Sequence, residues 1–193
     1  MVVGLDAATG SSTEPRPKVA LALRDGQRAL FESLYREHFD FVFRNLRRLG
    51  IRDEQLDDAV QDCFMVVLRR LGDYRLGTSP KGWLFAIAVR VASNYRRRQR
   101  RKGGLLSLSE EHPSVEASPY QRAVVNDAAR QLHAFLDSVS EDKRAVFIMA
   151  ELERLSGPEI AAALNIKLNT VYSRLRLVRR DFVDRFAPMR ETR

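Results

Sequence analysis

The sequence predicts an all-α protein of two small helical domains joined by a flexible linker, the C-terminal one containing a helix-turn-helix. Three observations carry this. Apolar residues recur every three to four positions through two blocks, residues 27–101 and 120–187, and no alternating run marks a strand. Between the blocks, residues 102–119 hold Gly103, Gly104, two prolines and several serines, the composition of a linker. Near the C-terminus a short helix, a turn at Asn165 and a basic amphipathic helix follow in succession. With 193 residues, 45% of them apolar, the chain has enough apolar side chains to fill two small cores.

Residues 1–26 are rich in Gly, Ser, Thr and Pro and read as a disordered arm. The first helix carries Leu30, Phe31, Leu34, Tyr35, His38, Phe39, Val42, Phe43 and Leu46 on one stripe, and Gly50 ends it. The second is expected from about Asp53 to Leu71, with Val60, Cys63, Phe64, Val67, Leu68 and Leu71 facing inward. Acidic residues at its start suit the helix dipole. A loop over Gly72–Lys81 contains Gly77 and Pro80, and the third helix runs from about Pro80 to Arg101. Trp83, Leu84, Ile87, Val91 and Tyr95 are its candidate core residues. In the second block one helix is expected from Tyr120 to Val139 and another from Ser140 to Leu152, capped by Ser140. Lys143 stands where a capping box would place Glu or Gln. Two shorter helices, near 157–164 and 168–186, complete the chain.

The formal net charge is +8 and the isoelectric point is near 10.1, which points to a polyanionic partner: DNA, RNA or an acidic membrane surface. A single cysteine, Cys63, excludes an intramolecular disulfide and suits a reducing compartment. It lies in an apolar stripe, which argues against a redox role. No apolar run approaches the roughly 20 residues of a membrane span, and the N-terminus lacks a signal-peptide pattern, so a cytoplasmic location without membrane insertion is expected. His38, His112 and His133 are scattered, no zinc-ligand spacing occurs, and no Gly-rich phosphate loop is found. Neither an enzyme, a metal site nor a cofactor is expected.

Residues Ser156–Arg180 carry the clearest motif. Ser156 and Glu159 have capping-box spacing, with Pro158 in the permitted first turn. Ala161 is small where two helices must cross, and Asn165 occupies the turn, where it tolerates a left-handed backbone. Ile166 fills the corner. Leu168, Val171, Leu175, Val178 and Phe182 form the buried stripe of the last helix. Its opposite face presents Asn169, Thr170, Tyr172, Ser173, Arg174, Arg176, Arg179 and Arg180. Arg can grip guanine O6 and N7 in a fork, and Asn, Ser and Thr reach bases or phosphates. The earlier residues are expected in the major groove and the later arginines on phosphates.

The other charged features lie in the first block. Arg96, Arg97, Arg98, Arg100, Arg101 and Lys102 place six cations in seven residues. Such a run is not expected to be a buried face, and its self-repulsion is relieved by a polyanion. It extends a basic face that includes Arg90, Ser93, Asn94 and Arg97. The second helix has the opposite character: Asp57, Asp58, Gln61 and Asp62 cluster beside its apolar stripe. They are either solvated residues or a dock for a basic protein.

DDAVQDCFMVVLRRLGDYR followed by SPKGWLFAIAVRVASNYRRRQRR resembles the second conserved region of bacterial RNA polymerase sigma factors. SVSEDKRAVFIMAELERLSGPEIAAALNIKLNTVYSRLRLVRRDF resembles the fourth. The resemblance spans about residues 28–101 and 125–186, and the lack of room for the first and third regions marks the extracytoplasmic-function subfamily. It implies that Asp58, Gln61 and Asp62 dock on the clamp helices of core polymerase. It implies that the Tyr74–Lys81 loop, with Tyr74, Arg75, Ser79 and Lys81, holds an unstacked base of the minus-ten element. Arg90, Asn94 and Arg97 would track that element, and Thr170, Ser173, Arg174 and Arg176 would read the minus-thirty-five element. An anti-sigma factor is a further partner the family implies. Two departures stand out. Few aromatics are available for strand separation, since Trp83 reads as core, and Asn169 replaces a residue that is often small. The rival reading is a free-standing helix-turn-helix regulator whose N-terminal block senses or dimerises. It leaves the acidic face and the Arg-rich helix of that block without a purpose.

Overall fold

The structure, a computed structural model, describes residues 25–74, 79–101 and 119–187. The arm at 1–24, most of the linker and Arg75 lie outside the described residues. Among the described residues there are seven α-helices: α1 (Asp25–Arg48), α2 (Leu56–Arg69), α3 (Pro80–Arg101), α4 (Pro119–Ser138), α5 (Glu141–Phe147), α6 (Gly157–Leu164) and α7 (Leu168–Phe186). No strand occurs among the described residues.

The first three helices pack around Val42, Leu46, Leu49, Cys63, Val67, Leu84, Phe85 and Ile87, which are essentially inaccessible to solvent. Burial, and then the charge of Asp62, push the Cys63 thiol up to about 12. The native protein is therefore expected to react with a thiol reagent only after unfolding, whereas fast labelling of folded protein would contradict this packing. The second block gathers Phe135, Leu136, Val146, Ile148, Met149, Ile160, Val171 and Val178. Gly50 adopts φ 88° and turns the chain out of α1.

The periodicity overextends α2 and oversimplifies α5. Asp53–Gln55 forms a separate 3₁₀ turn, in which Asp53 pairs with Arg47 at 3.3 Å, and Leu71–Asp73 forms another after the helix. Beyond Phe147 the chain passes into a π-helical turn, Ile148–Leu152. Ser140 takes the extended N-cap conformation, but its side chain makes no capping bond. Its hydroxyl is exposed, and Glu141 and Asp142 supply the negative charge that the first turn favours.

The helix-turn-helix forms as its sequence dictates. Ser156 Oγ accepts from the Glu159 N–H at 3.4 Å, and Glu159 Oε2 accepts from the Ser156 N–H at 2.8 Å. Asn165 sits at φ 53°, ψ 50°, in the left-handed turn. Leu168, expected in the core, is 37% exposed. It starts α7 and lies over the capping turn, where a Cβ on Gly157 would be 3.1 Å from its Cδ1. Replacing Ser156 by Ala is expected to cost about 1 kcal/mol in chemical denaturation, and no change would remove the box from the account. The Ser156 hydrogen bonds hold the Glu159 carboxyl below its usual pKa. The box therefore stabilises above the ordinary carboxylate range and loses this contribution as pH falls through the lowered value.

The two blocks touch. The buried apolar residues of both form one continuous cluster, and α6 packs against both α3 and α7. A polar seam crosses the boundary. Glu153 Oε1 accepts from Asn45 Nδ2 at 3.0 Å and pairs with Arg48 Nη1 at 2.7 Å. Arg144 reaches back to donate to the Leu49 carbonyl at 3.1 Å, and Arg96 donates to the same oxygen. Glu141 accepts from Arg96 at 2.9 Å and from Arg100 at 2.8 Å. The Arg96 side chain is consequently only 11% exposed, contrary to the expectation that the cationic run stays out of buried faces. The counter-charge comes from the other block, where local sequence cannot show it.

Candidate nucleic-acid and polymerase interfaces

Three polar faces emerge from this frame. On α2, burial of Ala59, Val60, Cys63, Phe64 and Val67 turns Asp57, Asp58, Gln61 and Asp62 outward, and all four are exposed. Asp62 Oδ2 accepts from the Tyr95 hydroxyl at 2.9 Å, which ties α2 to α3. Burial, and then that hydrogen bond, push the Tyr95 hydroxyl up to about 12, so it remains a donor at neutral pH. No ion pair among the described residues neutralises Asp58 or Asp62.

The second face surrounds α3, which divides its circumference in three. Leu84, Phe85, Ile87, Ala88, Val91 and Ala92 enter the core. Ser93, Arg96 and Arg100 turn towards Glu141. Arg90, Asn94 and Arg97, four and then three residues apart, share the exposed face. At the head of the helix Ser79 is half-buried and its carbonyl accepts from the Trp83 N–H at 3.3 Å. Lys81 places its ammonium 5.9 Å from the centre of the Phe41 ring. Trp83, read from sequence as core, is only half-buried. Its ring lies 5.1 Å from that of Tyr74, so the indole is shared between the core and the loop. An aromatic pair thus stands at the base of the segment expected to hold a base.

The third face is the outer side of α7. Asn169, Tyr172, Ser173, Arg176, Arg179 and Arg180 are exposed, and Thr170 and Arg174 are half-buried. Ser173 spends its hydroxyl on the Thr170 carbonyl at 3.0 Å. The arginines are not equivalent. Arg174 pairs with Asp142 at 2.5 Å, Arg179 with Glu151 at 2.8 Å, and Arg180 lies 3.9 Å from Asp181. Arg176 has no ion pair among the described residues. Sequence reading missed the acidic residues of α5 and its π turn that face these arginines. Asp142 in the first turn of α5 and Glu151 in the π turn were the available signal.

His38 is a half-buried boundary residue whose pKa burial lowers, and no group of His, Cys, Asp and Glu among the described residues could hold a metal. No helix among them is long and apolar enough to cross a membrane.

Comparison with known proteins fits this arrangement. The family model for sigma-70 region 2 matches residues 34–102, and that for sigma-70 region 4 matches residues 129–182. The ECF RNA polymerase sigma factor SigE of Mycolicibacterium smegmatis is 32% identical over 181 residues, covering 91% of this chain and 70% of that protein. The RNA polymerase sigma factor CarQ of Myxococcus xanthus is 30% identical over 148 residues, covering 74% of this chain and 81% of that protein. Among solved structures, the sigma factor RpoE in complex with the anti-sigma factor NepR from Bartonella quintana aligns with TM-score 0.65 at 20% identity, covering 81% of this chain and 96% of that one. CnrH in complex with the cytosolic domain of CnrY aligns with TM-score 0.61 at 22% identity, covering 91% and 95%. The two solved structures establish the shared fold, and the matched regions with the SigE relative establish the family: the chain belongs to the extracytoplasmic-function sigma factors, which bind core RNA polymerase and direct promoter-specific initiation.

Proposed function

We propose that the three faces divide the work of initiation, residues 27–101 serving as the polymerase-docking and minus-ten unit and residues 120–187 as the minus-thirty-five unit. Asp58, Gln61 and Asp62 dock on core polymerase. Tyr74, Arg75, Ser79 and Lys81 receive an unstacked base, while Arg90, Asn94 and Arg97 hold its strand. Asn169, Thr170, Tyr172, Ser173, Arg174, Arg176, Arg179 and Arg180 engage the upstream duplex. The observation that carries this reading is the solvent-facing Arg90–Asn94–Arg97 row on the helix that begins at the Trp83–Tyr74 aromatic pair. Cations beside aromatic rings on which bases can stack are the features that bind single-stranded DNA. The protein acts by binding rather than catalysis, in the cytoplasm where polymerase works. By likeness to the two solved complexes, an anti-sigma factor is a further partner.

Holoenzyme assembled with Arg90→Ala/Arg97→Ala is expected to lose affinity for single-stranded non-template DNA in fluorescence anisotropy while duplex recruitment persists. Arg176→Ala is expected to cost about 1–3 kcal/mol and to relax preference at one upstream position. Arg180→Ala should weaken all promoters alike and flatten the salt dependence. Equal, sequence-independent losses in Arg176→Ala and Arg180→Ala would make α7 a phosphate clamp instead.

A further inference from the structure

Two of the four large apolar side chains left exposed among the described residues are neighbours on α7: Leu168 at 37% and Tyr172 at 53%. They stand four positions apart, on the ridge that continues four positions further to Arg176. Both lean on Gly157 at the start of α6. A Cβ built there would lie 2.9 Å from the Tyr172 hydroxyl oxygen and 3.1 Å from Leu168 Cδ1. The bare backbone of Gly157 therefore lets the two side chains seat against the first turn of α6. That turn is itself fixed, because Pro158 follows and the Ser156–Glu159 box closes it. The core beneath has no place for Leu168, since Val171, Leu175 and Val178 already fill the inward face of α7.

A lone exposed leucine calls for no explanation, but the surroundings of this one do. Lys167 and Asn169 flank it, Ser173 follows Tyr172, and all three are exposed and polar. Two side chains make too small a patch for a protein partner, whose interfaces cover about 800 Å² on each side. A duplex is different. The base edges of the major groove present hydrogen-bond donors and acceptors and one apolar group, the 5-methyl of thymine. The beginning of a recognition helix is the part that enters the groove, and Leu168 is the first residue of α7. Against the methyl a leucine sheds water without stranding a polar group, which no other base edge allows.

We infer that Leu168, braced with Tyr172 on Gly157, is a specificity-determining residue that packs on the 5-methyl group of one thymine in the upstream element. The ridge of α7 then reads an apolar group at its start and, through Arg176, a hydrogen-bonding edge further along. The inference deepens the assignment of α7 to the upstream duplex and rests on it.

Deoxyuridine pairs as thymidine does and lacks only the methyl, so it isolates this contact. The probes are promoter duplexes selected by the holoenzyme from randomised templates, with each thymine of the upstream element, on either strand, replaced in turn by deoxyuridine. Holoenzyme assembled with the full-length protein is expected to lose affinity about fourfold at one thymine, the worth of one methyl-sized group taken out of water. Leu168→Ala holoenzyme should bind the thymine and deoxyuridine forms of that probe alike. Leu168→Met, apolar and of similar volume, should keep the difference. The readout is a ratio between two probes for one protein, so a general loss of stability or affinity cancels, and helicity and melting temperature report folding. An equal deoxyuridine penalty in the unmodified and Leu168→Ala proteins, or no penalty at any thymine, would overturn the inference while leaving α7 on the duplex. No base preference at any upstream position would overturn the assignment of α7 itself, and the inference with it.

Discussion

Reversing Asp58 and Asp62 to Lys is expected to abolish binding to core polymerase while leaving the helical signal intact. Both carboxylates are exposed, and the apolar stripe behind them does not depend on their charge. The reversal turns attraction into like-charge juxtaposition, which costs several kcal/mol at a protein interface. Asp62 also loses its bond from Tyr95, so Asp62→Asn, which keeps an acceptor for that hydroxyl, separates the two effects. Core affinity read by fluorescence, with circular dichroism as control, checks the result. Unchanged affinity would remove this face from the mechanism.

The second large effect is structural. Phe135 is 1% exposed, and its ring lies 5.4 Å from Phe147, 5.1 Å from Phe182 and 6.1 Å from Phe186. These contacts fasten α4 and α5 to the C-terminal half of α7, so they set the angle at which α7 presents Arg176. Phe135→Ala removes the centre of the cluster and is expected to destabilise the protein by about 3–5 kcal/mol. For a domain of ordinary stability that is a large fraction of the total. Denaturant unfolding should show the loss, and upstream-element recruitment should fall with it. A change below about 1 kcal/mol would mean that the site collapses around the gap.

What the sequence revealed follows from the range of each interaction. The start of α3 at Pro80, the left-handed turn at Asn165 and the Ser156–Glu159 box are decided within a few residues. So is the outward turn of Asp58, Gln61, Arg90, Asn94 and Arg97, because a 3.6-residue period assigns faces locally. The seam was not legible. Arg96 and Glu141 are brought together by folding, and no local pattern announces such a pair. Arg144 did leave a trace, a cation between Lys143 and the apolar run AVFIMA, which periodicity alone reads as an edge residue. The pairing of Arg174 and Arg179 with Asp142 and Glu151 was hidden for the same reason, although it decides which cations of α7 stand free.

The most direct measurement is transcription from a library of randomised promoter templates, with core polymerase alone and with core plus this protein, read by sequencing the transcripts. The protein should generate defined start sites, and the templates that yield them should share two short elements, near minus ten and minus thirty-five, at constant spacing. Core alone should give no such enrichment. A protein that bound duplex DNA tightly without polymerase and enriched no start sites would be a free-standing regulator, contradicting the account.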